Sequence, residues 1–121
     1  MINIRRIFSR FRAQPAAAVV VAGTDYPSYQ LATRIQQNPA FHLAYFMNEE
    51  PWHHRTFILG VELRYASELL SLVKKHDIKA VFCASEDDYH SWLSDMGTAL
   101  TQHHCQVLLC RPGETPQLPA V

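Results

Sequence analysis

Ten residues constrain this chain more than any others: Val19-Val20-Val21-Ala22-Gly23-Thr24-Asp25-Tyr26-Pro27-Ser28. An uninterrupted apolar, β-branched run reads as a strand buried on both faces. It breaks at a glycine and passes into a helix, which is how a dinucleotide-binding unit opens. In a Gly-x-Gly-x-x-Gly turn the second glycine lets backbone N–H groups approach a pyrophosphate. The third lets the helix pack closely on the strand, with the phosphate at the helix N-terminus. Here Gly23 holds the first place, Asp25 the second and Ser28 the third. Asp25 adds a side chain and a negative charge where a phosphate would rest.

Strand-like and helix-like patterns alternate along the rest of the chain. Ala17–Ala22 is the first strand. Pro27 fits the first turn of the following helix, where its missing N–H costs nothing. Tyr29, Leu31, Ala32 and Ile35 form that helix's apolar set, and Asn38-Pro39 stops it. Phe41–Met47 reads as a second strand, and Phe57–Leu63 as a short strand pair or a third strand interrupted by Gly60. Ser67 and Glu68 open a helix with Leu69, Leu70, Leu72 and Val73 on its face; Lys74, Lys75 and His76 close it at the negative end. Lys79–Ala84 is the next strand. Glu86, Asp87 and Asp88 then place acids at a helix start, with Trp92, Leu93, Met96 and Leu100 as its inner face. Cys105–Cys110 is the last strand. This alternation predicts a single doubly wound α/β domain built on a parallel sheet of about five strands.

With 121 residues, 48 % of them hydrophobic, the chain suits one compact domain with a real core. Formal net charge is zero, which predicts no general nucleic-acid-binding surface and no nucleic-acid partner. The balance is uneven: Arg5, Arg6, Arg10 and Arg12 open the chain without an acid, leaving seven of the eleven Lys and Arg against all eleven acids. Read as a helix, Ile4, Ile7, Phe8 and Phe11 share one face there. Residues 1–15 are therefore expected to form a basic amphipathic segment contacting a protein or, peripherally, an anionic membrane. Residues 16–111 form the α/β domain, residues 112–121 a Pro-rich tail, and a homo-oligomer is expected. Three cysteines, an odd number, together with no apolar secretory segment, predict a reducing compartment. The expected location is cytoplasmic, with the inner face of a membrane as the extension of the basic-segment reading.

From Val19 to Arg111 the chain resembles the Rossmann-like, CoA-binding-like N-terminal domain of bacterial polysaccharide-biosynthesis proteins. In these the domain precedes a nucleoside-diphosphate-sugar epimerase/dehydratase or phosphoglycosyl transferase unit. The residues that carry the resemblance are Val19–Gly23, Gln30-Leu31-Ala32, Tyr45-Phe46-Met47-Asn48-Glu49-Glu50-Pro51, Ile58-Leu59-Gly60-Val61 and Asp77-Ile78-Lys79-Ala80-Val81. It implies NAD(P) or another nucleotide as cofactor and a nucleotide or sugar nucleotide as ligand. Two departures stand out. Asn48 replaces the acid that ends the second strand and would bond a ribose hydroxyl; Asn48 can still do so, or Glu49 or Glu50 can substitute. The Tyr-x-x-x-Lys pair of short-chain epimerases is missing, because Tyr26, Tyr29, Tyr45, Tyr65 and Tyr89 all lack a lysine four residues on. An epimerase reaction from these residues alone is not expected.

The candidate ligand edge follows from the fold, since open parallel sheets bind at the carboxyl ends of their strands. Gly23, Thr24, Asp25, Tyr26 and Ser28 form the first turn: Thr24 and Ser28 as donors to phosphate, Tyr26 as a stacking surface for a base. Asn48 and Ser85 line the same edge, although Ser85 is equally suited to cap the acid-led helix. Trp52-His53-His54-Arg55 reads as a solvent-facing loop or an oligomer contact, because adjacent histidines diverge and chelate poorly; the family resemblance, in which this region folds against the ligand edge, implies Arg55 as a residue that could meet a phosphate. Cys105 and Cys110, five apart on a strand, face opposite sides and make no metal site with His103 and His104. Adjacent carboxylates, Asp87-Asp88 and Glu49-Glu50, diverge and form no acid/base couple. Three functions remain open: a non-catalytic nucleotide-binding-like regulatory or assembly domain, an interaction module with a degenerate ligand site, and a small NAD-linked sugar-nucleotide enzyme.

Overall fold

The computed structural model describes residues 15–50 and 54–119. The basic segment of residues 1–14, and Trp52 and His53, lie outside them. Strands β1 (Ala17–Ala22), β2 (Phe41–Met47), β3 (Phe57–Ile58), β4 (Val61–Arg64), β5 (Ala80–Cys83) and β6 (Gln106–Leu109) alternate with helices α1 (Tyr26–Gln37), α2 (Leu69–His76) and α3 (Glu86–Gln102). The sheet is six-stranded in the order β3-β4-β2-β1-β5-β6. All neighbours are parallel except β3 and β4, which form an antiparallel hairpin at one edge.

The centre of the sheet is the run that dominates the sequence. Val19, Val20 and Val21 are fully buried because successive side chains point to opposite faces and both faces are covered. Burying each such side chain contributes about 1.5–3 kcal/mol. On one side Val19 and Val21 join Leu31, Ala32 and Ile35 of α1 with Leu43, Phe46, Leu63 and Phe82. On the other, Val20 and Ala22 join Leu69, Leu72 and Val73 of α2 and Leu100 of α3. Helices on both faces of a mostly parallel sheet make this a doubly wound, Rossmann-like domain. Cys105 and Cys110 fall in opposite cores, as their spacing predicts.

Two stretches differ from their expected form. The alternatives for residues 57–63 resolve into the strand pair, turned by Leu59 (φ 55°) and Gly60 (φ 75°). Two consecutive positive φ angles match the right-handed twist of a tight hairpin, which Leu59 adopts despite its side chain. The helix expected from Ser67 begins at Leu69, after a single 3-10 turn over Ala66–Glu68. Glu68 folds back to accept from the Tyr65 backbone N–H at 3.0 Å, which fixes that tighter turn. The tail crosses the α1 side of the sheet. Arg34 donates to the Glu114 carbonyl at 2.8 Å, and Pro116 is buried.

Candidate functional site

Parallel strands β1, β2, β4 and β5 deliver their carboxyl ends to one edge, and the order reverses there because β1 lies between β2 and β5. Such a reversal opens a crevice at the ends of the central strands. A cavity of about 190 Å3 occupies it, lined by Ala22, Gly23, Met47, Asn48, Glu49, Asp88 and Trp92. A second cavity of about 300 Å3 adjoins it, sharing Glu49 and Trp92 and adding Ala66, Ser91, Asp95 and Met96. Gly23 is a true requirement: its φ is +99°, and a β-carbon there would stand 3.0 Å from Ser28 Oγ.

The structure brings the expected turn residues together and gives most of them internal partners. Asp25 is the N-cap of α1, its carboxylate accepting from the Ser28 backbone N–H at 3.2 Å. Pro27 offers no N–H at all. Of the first three residues of α1, only Tyr26 keeps an N–H that no capping bond engages. Ser28 is buried and its hydroxyl donates to the Ala22 carbonyl at 3.2 Å, so the phosphate donation expected of it is already directed inward. Thr24 Oγ1 accepts from Asn48 Nδ2 at 2.8 Å, tying the β1 turn to the end of β2. Asn48 Oδ1 accepts from the Glu50 backbone N–H at 2.7 Å, which leaves its acceptor engaged where a ribose hydroxyl was expected. Glu49 accepts from the Ala66 N–H at 2.7 Å across the crevice. Ser85 caps α3 by accepting from the Asp88 N–H at 3.2 Å, the structural alternative foreseen for it. Tyr26 is 71 % exposed and free to stack on a ring.

Electrostatically the crevice is acidic. The β-carbon position of Gly23 is 3.8 Å from an Asp25 carboxylate oxygen and 3.8 Å from one of Asp88. Burial, helped by the Asp88 charge, pushes the Cys83 thiol up to about 12, so this cysteine is an inert core residue. Among the described residues no Lys, Arg or His lines either cavity. These residues do not fit a dinucleotide diphosphate. Both helix starts at the crevice cap themselves, and the fixed charges repel an anion.

Arg55, for which the family resemblance allowed a phosphate contact, pairs with Glu62 at 3.5 Å. A network that sequence reading missed lies beside it. His54 Nε2 stands 2.6 Å from Glu68 Oε1, and its ring stacks on Tyr65 with centroids 3.9 Å apart. Arg64 donates to Glu68 at 3.1 Å and to Glu62 at 3.2 Å, and its guanidinium lies over the Tyr45 ring. Burial raises the Glu68 carboxyl, but the Tyr65 N–H, His54 and Arg64 together outweigh it and hold the group below its ordinary value. Only the i, i+4 spacing of Arg64 and Glu68 is visible in sequence. His54 is thus anchored to the domain rather than solvent-facing. Among the described residues no cluster of His, Cys, Asp and Glu suits a metal ion, and no helix is long and apolar enough to cross a membrane.

No protein-family model matches this sequence, and no curated protein matches it. Solved structures do. The UDP-D-quinovosamine 4-dehydrogenase structure from Vibrio fischeri is 22 % identical, with a TM-score of 0.65 over 80 % of this chain and 80 % of that one. RSP, a Rex-family repressor, is 12 % identical, with a TM-score of 0.66 over 97 % of this chain and 57 % of its own. RSP has also been solved with β-NAD+ and operator DNA, a structure matched with a TM-score of 0.64 at 12 % identity over 95 % of this chain and 52 % of that one. The chain therefore spans a little over half the length of that repressor. The last structure corrects the exclusion of nucleic acid drawn from net charge. A protein containing this fold sits on DNA, and a domain's averaged charge does not report what a whole chain can contact. At these identities what is shared is the architecture: the domain has a Rossmann-like fold.

Proposed function

We propose that this chain is a non-catalytic, nucleotide-binding-like domain that acts as a regulatory or assembly module. It would recognise a nucleoside-type ligand in the crevice at the Gly23 turn. The setting that the motif order suggests is sugar-nucleotide or polysaccharide biosynthesis. The observation that carries the reading is the two-lobed cavity at the carboxyl ends of β1 and β2, where the strand order reverses. Trp92 supplies a ring surface there and Asn48 and Glu49 supply polar groups, while Tyr26 stands exposed on the adjoining turn. The small-enzyme reading is weaker. The crevice brings together no nucleophile–base pair among the described residues, and Cys83 is buried with its thiol raised.

The self-capped helix starts favour a second reading, an interaction module whose ligand site has closed. A thermal-shift series separates the two, using NAD, NADP, CoA and UDP-sugars together with adenosine and uridine. A binder must gain melting temperature saturably with at least one of them. A flat response to the whole series rejects the ligand reading and leaves the interaction module.

A further inference from the structure

Resting on the ligand reading above, we propose that the crevice selects nucleosides bearing a cationic 5′ substituent, an amine or sulfonium, over nucleoside diphosphates. Three features of the site, besides its charge, carry this. Diphosphate recognition in such folds needs unengaged N–H groups at the first helix start. Here Asp25 occupies the Ser28 N–H and Pro27 removes another. The α3 start, the other helix end at the crevice, is closed by Ser85. The cavity nevertheless persists between them, with Trp92 as the wall common to both lobes and Met47, Ala22 and Met96 as apolar lining. An aromatic face beside a carboxylate is the arrangement that attracts an organic cation.

The charges then fix the sign of the group that can stand over Gly23. Carboxylates of Asp25 and Asp88 flank that position, and Glu49 lies across the cavity. Asp25 and Glu49 each have one oxygen engaged by a backbone N–H. Among the described residues the Asp88 carboxylate has no hydrogen-bond or ion-pair partner, and only its backbone N–H is engaged, by Ser85. Asp88 is therefore the group that would meet an ammonium, with Trp92 one helical turn further along α3.

The test compares 5′-amino-5′-deoxyadenosine and 5′-amino-5′-deoxyuridine with NAD and UDP-glucose by calorimetry on the full chain. The aminonucleosides should bind tighter, on the order of tenfold or more. Asp88→Asn should erase that preference while far-UV circular dichroism stays unchanged. Asp25→Ser, which keeps a capping oxygen, should raise affinity for the diphosphates. If NAD or UDP-glucose binds the natural chain more tightly than either amine, the selectivity is refuted while the nucleotide-type reading stands. If neither class binds, both fall together.

Discussion

Asp25 shows how one side chain both builds an element and closes a site. It caps α1 through the Ser28 N–H, so its loss should be felt in stability before anything else. Asp25→Ala is expected to cost about 0.5–2 kcal/mol, whereas Asp25→Ser should stay close to the natural chain, because a serine oxygen caps equally well. Urea denaturation of the two variants side by side checks this; equal losses would mean the cap contributes nothing. Glu68 makes a different residue-scale prediction. Its carboxyl is held below 4.5 in the folded chain, so its ionised form stabilises the fold above that pH, and the contribution is lost as pH falls through and below it. Glu68→Gln should therefore destabilise at pH 7, by roughly 1–2 kcal/mol. The two melting curves should converge as the pH is lowered toward 3. A gap that stays constant across that range contradicts the assignment.

At the scale of elements, α3 carries a correctable weakness. Gly97 sits in mid-helix, where glycine costs about 0.5–1 kcal/mol relative to alanine. A β-carbon there would stand 3.0 Å from Leu93 Cδ1, the end of a side chain that is 43 % exposed and free to rotate outward. Gly97→Ala should raise stability by up to about 1 kcal/mol; a lowered melting temperature would show that Leu93 is held in place. The β3–β4 hairpin and the 3-10 turn before α2 mark the limit of reading elements from pattern. Leu59-Gly60 lacks the Asn-Gly signature of its turn, and the Glu68 side chain that shortens the helix start reaches back to backbone three residues away. Long alternations of buried strand and amphipathic helix were legible because period alone sets them. These short features depend on single side chains meeting backbone.

For the whole molecule, the two cores on either face of one sheet leave all three cysteines buried. Burial pushes the Cys83 and Cys105 thiols up to about 12 and raises Cys110 as well. A disulfide reagent at pH 8 should react slowly with the native chain and with three thiols per chain in denaturant. Rapid labelling of the native chain would mean that one face of the sheet opens readily. The neutral total charge, which suggested a chain without nucleic-acid partners, is a bulk average. It hides an acidic crevice on one edge and says nothing of what a Rossmann-like domain meets, as the repressor with operator DNA demonstrates for its own chain.

By itself, the sequence determined the layered architecture, the central place of Val19–Val21 and the glycine-led turn. Hydrophobic period and a required positive φ are local properties that a reader can count. It also announced a charge where a phosphate would lie. The capping of its own helix by that charge is likewise local, spanning three residues. Only the tertiary structure decided that Asp88 of α3 joins Asp25 beside Gly23, and that Thr24 and Asn48 bind each other. Those outcomes depend on which strand ends the sheet order sets side by side, and no local pattern encodes that order.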